Sequence, residues 1–434
     1  MQNLLSFDQA PPISAPLRFF LTAPLFAMLA GLLLLYSGPE LFASRWMPAT
    51  LALTHLFTAG FLLQVMLGAL QQLLPVVVGA NIAQPLRVAT WVHASTSFGA
   101  LALTAAFLTY APWLFGCAAA LLAAGVLVFL AAAARAMRGI VANNPTILGL
   151  QLALLGLGVT VLSGALLALA LGLQWDIPLL QLTDLHLGWG LMAWSCSVLA
   201  AVGFVAVPMF QLTPEYPPRF ARAFVPTALG CVLLWTASDL AGWAAASTLF
   251  AAATVAAAGT YCLVTLHLLR NSKRAKNDAT HRFWRYAMLS GTLACALWLV
   301  AQFVDGLGQW PHWPMLFGVL LVLGGFASVT LGMLYKIVPF LVWLHLQNQG
   351  SGRVLAPNMK KVLPQVQIDR QMRAHFVAYA LLLLSVIWPA WCVYPAGLAL
   401  IASNAWLLRN LLYAMGVYRR HGAAIQAAAS AADA

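Results

Sequence analysis

Two histidines stand at matching places in long apolar stretches of this sequence. His55 lies 20 residues ahead of Pro75, and His186 lies 22 residues ahead of Pro208. Neutral imidazole is a ligand for iron and copper and a proton acceptor near neutral pH. Ionisable side chains inside apolar segments are costly and normally face a partner in the bundle interior, so two at similar depth could converge on one metal. The plainer reading of each is a hydrogen bond to nearby backbone or, for His186, to Asp184. Matching positions weigh toward the shared site.

Other polar side chains sit in the same stretches. His312, in Gln309-Trp-Pro-His-Trp-Pro314, reads first as an anchor in an aromatic belt and second as a cap over a metal site. His93, beside Ser95, Thr96 and Ser97, is either locally hydrogen-bonded or an inner ligand. Gln64, Gln71 and Gln72 lie on the inner half of the stretch that begins near His55, and Lys336 adjoins Tyr335. They form a candidate proton or polar path, against the plainer readings of interhelical links and a snorkelling lysine. Met192 and Cys196 are extra soft ligands to consider for copper. The six cysteines form no CxxC pair, and no P-loop, dinucleotide fingerprint or hydrolase elbow is present.

The elements that must position these groups follow from composition. With 434 residues, 62% hydrophobic and 7% charged, the chain cannot clothe a water-soluble surface. It reads as an all-α integral membrane protein, one polytopic domain over 1–434 with twelve spans. The second is expected at 48–78, the sixth at 180–210 and the tenth at 314–345. The last two are expected at 375–394 and 396–416, and the tail 421–434 is expected to lack order. Residues 270–282 and 347–372 make the two longer loops.

The net charge of +12 suggests nucleic acid at first, but its placement argues otherwise. All Lys and Arg except Arg45 and Lys336 fall in or beside segments that a cytoplasmic N-terminus makes cytoplasmic. That asymmetry orients the chain in a membrane of the bacterial inner type, with both termini inside and lipid headgroups as the charge partner.

A repeat organises the spans. Gly68 precedes Pro75 and Gly332 precedes Pro339 by seven residues, Gly203 precedes Pro208 in a looser version, and the three prolines are 133 and 131 residues apart. Each closes the second span of four, which gives three pseudo-symmetric arcs at about 18–134, 146–269 and 283–416.

The order His55, Gly60-Phe61, Gly68, Pro75 resembles the core helices of the catalytic subunit of C-type haem-copper oxidases, as does Gly332, Tyr335, Pro339. NnrS-type proteins are similar in the same helix. The resemblance implies a twelve-helix fold like haem-copper oxidase subunit I. It also implies haem b held between repeat-related helices by His55 and His186, or copper in their place, with His312 and His93 as further ligand candidates. Where the family has a ligand histidine in the tenth span this chain has Val319, and the seventh span has none. A competent terminal oxidase is therefore not expected. The resemblance implies a redox or nitric-oxide-related protein with a respiratory or periplasmic redox partner. The alternatives are a copper or small-solute transporter on the same scaffold, and a non-catalytic accessory or assembly subunit of a respiratory complex.

Overall fold

A computed structural model of the chain describes residues 9–274, 278–304, 306–350 and 356–433. The central parts of both longer loops, 275–277 and 351–355, lie outside the described residues. Among the described residues there is no strand, and twelve long helices follow one another. They are α1 Ser14–Ser37, α2 Pro48–Val78, α3 Pro85–Thr109, α4 Pro112–Ala136, α5 Pro145–Leu173, α6 Leu179–Gln211, α7 Pro218–Leu240, α8 Ala244–Arg270, α9 Ala279–Val300, α10 Trp313–Gly350, α11 Gln365–Ile387 and α12 Pro389–Asp433.

Eleven of these are long and apolar enough to cross a membrane. An α-helix is the natural spanning element because it satisfies its own backbone where no water can. The remaining helix, α11, has 23 residues but carries Asp369, Arg370 and Arg373 in its first half. Proline opens six of the twelve helices at a position where its missing N–H costs nothing.

Two expected boundaries shift. The break between the last two spans falls at Trp388, not at Pro395. Pro389 takes the first position of α12, and Pro395 is accommodated within its early turns. The segment from His421, expected to lack order, continues α12 to Asp433. Its run of alanines, the strongest helix formers, accounts for that.

Consecutive helices pack on one another around the molecule, and α12 returns to pack along α1, closing a ring. Inside it stand α2, α6 and α10. Their most apolar stretches are 78%, 67% and 67% buried, against 56% or less for every other span. The same three helices each widen into a π-helical segment: Leu56–Leu62, Trp189–Cys196 and Val319–Ala327. These segments begin 19, 19 and 20 residues before Pro75, Pro208 and Pro339. The repeat read from glycine and proline is thus also a repeat of backbone geometry, and π turns of this kind concentrate at functional sites.

Packing explains the glycines of the motif. A Cβ on Gly68 would stand 2.8 Å from Phe19 Cβ of α1, and one on Gly332 would stand 2.7 Å from Phe283 Cβ of α9. In each case the preceding helix presses a phenylalanine against the bare backbone of the inner one.

Candidate functional site

His55 ends the α-helical turns of Pro48–His55, immediately ahead of the first π segment. Its Nδ1 lies 2.8 Å from the Leu51 carbonyl oxygen. A carbonyl only accepts, so Nδ1 carries the proton and Nε2 keeps a free lone pair. The ring is half-buried and packs 5.3 Å from Phe107 of α3.

His186 stands three residues ahead of the second π segment. Its Nδ1 meets Ser163 Oγ of α5 at 3.0 Å, and Ser163 in turn donates to the Thr160 carbonyl at 3.0 Å. With its one proton committed there, the serine accepts from Nδ1, and His186 too is left with a free Nε2. A Cβ on Gly164 would come within 2.8 Å of His186 Cε1 and 3.6 Å of Nε2. The absence of a side chain at 164 is what lets the ring lie there.

His55 and His186 stand at the same place on two inner helices, each just ahead of a π segment. Both therefore share the arrangement of a metal-binding histidine, with one nitrogen oriented by a neighbouring oxygen and the other bare. Arg45 ahead of α2 pairs with Asp184 of α6 at 2.9 Å. Asp184, considered as a partner for His186, is engaged by Arg45.

The remaining candidates lie elsewhere. His93 shares a hydrogen bond of 2.8 Å with Thr22 Oγ1 of α1 and packs edge-on to Phe19. His312 donates from Nδ1 to the Phe42 carbonyl at 3.0 Å and rests against Trp310, as an interface anchor would. Met192 and Cys196 face the other side of α6, where they line an apolar cavity of about 120 Å³ with Cys262 of α8 and Cys295 of α9. Among the described residues no three His, Cys, Asp or Glu side chains are grouped so as to hold a metal ion. His55 and His186 thus offer two nitrogens without a third such ligand. Two neutral imidazole nitrogens are a donor set for iron or copper, and a firm copper site usually adds a third donor.

Gln64 is fully buried and donates to Thr96 Oγ1 at 2.9 Å and Ser97 Oγ at 3.2 Å, linking α2 to α3. Gln71 and Gln72 are buried with no protein partner for either amide atom among the described residues. Lys336 pairs with Asp278 at 2.8 Å, so this lysine is neutralised by the residue that caps α9.

Sequence reading missed Ser163 and Gly164, and also His375 of α11, which is 1% exposed and meets Ser328 of α10 at 2.8 Å. Nothing local marks these residues, since their partners are 22 to 47 residues away. Ser328 does occupy a repeat position, 11 residues before Pro339, as Ser197 is before Pro208 and Gln64 before Pro75. That common polar position was a usable signal.

No protein-family model and no curated protein matches this chain.

Proposed function

We propose that this chain is a haem b-binding membrane protein on a scaffold like haem-copper oxidase subunit I, with redox or nitric-oxide-related activity and without a haem-copper binuclear centre. The observation that carries the reading is the His55–His186 pair: matching places on repeat-related inner helices, with Nδ1 of each ring turned to a neighbouring oxygen. Bound between them, haem would supply one-electron exchange. The chain's own part is to hold both imidazoles as Nδ1–H tautomers, through Leu51 and Ser163, so that each presents its basic nitrogen. Gly164 keeps the approach to His186 open.

In this reading α11 also crosses the membrane, which brings the spans to twelve, and the ring divides into three four-helix arcs, with α2, α6 and α10 as their inner members. The closed packing of α12 on α1 and the three equivalent π segments support it. The basic loops face the cytoplasm, as the asymmetry of Lys and Arg favours.

The experiment is the dithionite-reduced minus oxidised spectrum of detergent-purified protein from haem-replete cells. Sharp b-type bands, lost in both His55→Ala and His186→Ala while the proteins stay folded, are the expected result. A folded wild-type protein without such bands would overturn the proposal.

A further inference from the structure

The inner end of α2 borders a polar cavity that takes no part in the histidine pair. It measures about 220 Å³ and is lined by Gln71 and Pro75 of α2, by Asn81 and Ile82 of the next loop, by Pro85 and by the segment 9–12 ahead of α1. Gln71 is 1% exposed, yet neither its Oε1 nor its Nε2 has a protein partner among the described residues. A buried amide unpaired at both ends is costly unless something in the cavity bonds to it. Among the described residues the lining offers amides and carbonyls and no carboxylate or cationic side chain. Such a wall suits neutral hydrogen-bonding molecules, and the volume holds several waters.

One wall is fastened from far away in the chain. His345 of α10 stands between two carbonyls, with Nδ1 2.9 Å from the Leu341 oxygen and Nε2 2.9 Å from the Pro11 oxygen. Carbonyl oxygens only accept, so the ring bonds both when both nitrogens carry protons and one of them otherwise. The Pro11 contact bridges 334 residues and holds segment 9–12 across the cavity.

We infer that this cavity is a hydrated vestibule that admits water and small uncharged hydrogen-bonding solutes as far as Gln71, with segment 9–12 as its strap and His345 as the clasp. The inference stands apart from haem binding, since none of its residues touches His55 or His186.

The test uses the full chain in membrane vesicles with its six native cysteines replaced, and single cysteines introduced as Gln71→Cys, Ile82→Cys and, for comparison, Leu70→Cys. Leu70 is fully buried and does not line the cavity. Methyl methanethiosulfonate is the probe, because it reacts with thiolate and a thiol ionises only where water reaches it. Gln71→Cys and Ile82→Cys are expected to react at least about tenfold faster than Leu70→Cys. Adding His345→Phe frees the strap and is expected to raise both rates several-fold. Two lining cysteines no faster than Leu70→Cys would overturn the vestibule, and Ile82→Cys supplies this readout where Gln71→Cys does not accumulate. Rates unmoved by His345→Phe would overturn the clasp. A chain that labels as expected but shows no haem bands retains this inference and loses the proposed function.

Discussion

The Arg45 guanidinium and the Asp184 carboxylate meet at 2.9 Å, tying the turn ahead of α2 to the second turn of α6, two residues before His186. The side chains are 35% and 48% exposed, so water screens most of the attraction. Arg45→Ala is therefore expected to cost about 0.5 kcal/mol or less. The exchange Arg45→Asp with Asp184→Arg should restore that loss. Thermal melts of the single and double variants close the cycle, and about 1 M salt should erase the coupling.

Gly164→Ala tests the seating of His186. The new Cβ would stand 2.8 Å from Cε1, a separation real contacts do not sustain, so the ring must turn away. Fold stability should change little, because an imidazole at the edge of a helix contact can rotate. The reduced b-type bands should weaken or shift. Gly158→Ala, on the same helix and 3.4 Å from Leu130 Cδ1, should leave them unchanged.

Ser163→Ala removes the oxygen that fixes the His186 tautomer. Loss of such an orienting partner typically costs about ten- to a hundredfold in metal affinity. The expected result is faster loss of haem to apomyoglobin in detergent, with Ser163→Thr retaining most of the wild-type behaviour.

Asp278 controls stability at acid pH. Burial alone would raise its pKa, but the bond and charge of Lys336, the His281 backbone N–H and the Thr280 hydroxyl outweigh it and bring the group down to about 2. Arg274 adds a second ion pair at 2.6 Å. Because the folded value lies below the ordinary aspartate value of 3.8, this stabilisation is present above about pH 4 and is lost as pH falls toward 2. Asp278→Asn keeps an N-cap acceptor but strands both cations, and should cost roughly 1–3 kcal/mol near neutral pH. Asp278→Ala should cost about 1 kcal/mol more through the lost cap. Denaturation midpoints at pH 7 and pH 3 check both, and the gap between Asp278→Asn and wild type should narrow at pH 3.

Ring closure depends on two facing glycines. A Cβ on Gly31 would lie 2.8 Å from the Gly397 carbonyl oxygen, and one on Gly397 would lie 2.9 Å from the Gly31 carbonyl oxygen. Backbone atoms cannot swing aside, so Gly31→Val or Gly397→Val must separate α1 from α12. Each should destabilise by roughly 1–3 kcal/mol, the usual range for overpacking. Lower melting temperatures with an intact helical signal by circular dichroism would show it.

His55, His186 and the Gly–Pro repeat were legible because each is a local pattern within one helix. The π segments were not, although they keep register with the repeat prolines, since nothing in their composition separates them from ordinary apolar helix. The boundary at Trp388 was missed because two prolines, Pro389 and Pro395, offered themselves and only packing chose between them. Ser163, Gly164 and the His345–Pro11 contact lay beyond reach for a common reason: each acquires its role from a residue on another helix.

By itself the sequence determined that this chain lives among lipids as a string of helices. Apolar runs about 30 Å long have no other way to satisfy their backbones. It also determined which residues are scarce enough in such runs to matter. Tertiary structure decided which of them meet. A helix turns about 100° per residue, so a small rotation moves a side chain from one neighbour to the next. That rotation is fixed only when helices pack. It sends His186 toward Ser163 and Gly164 while Met192 and Cys196 line another cavity, and it leaves Gln71 facing a space that its own helix cannot fill.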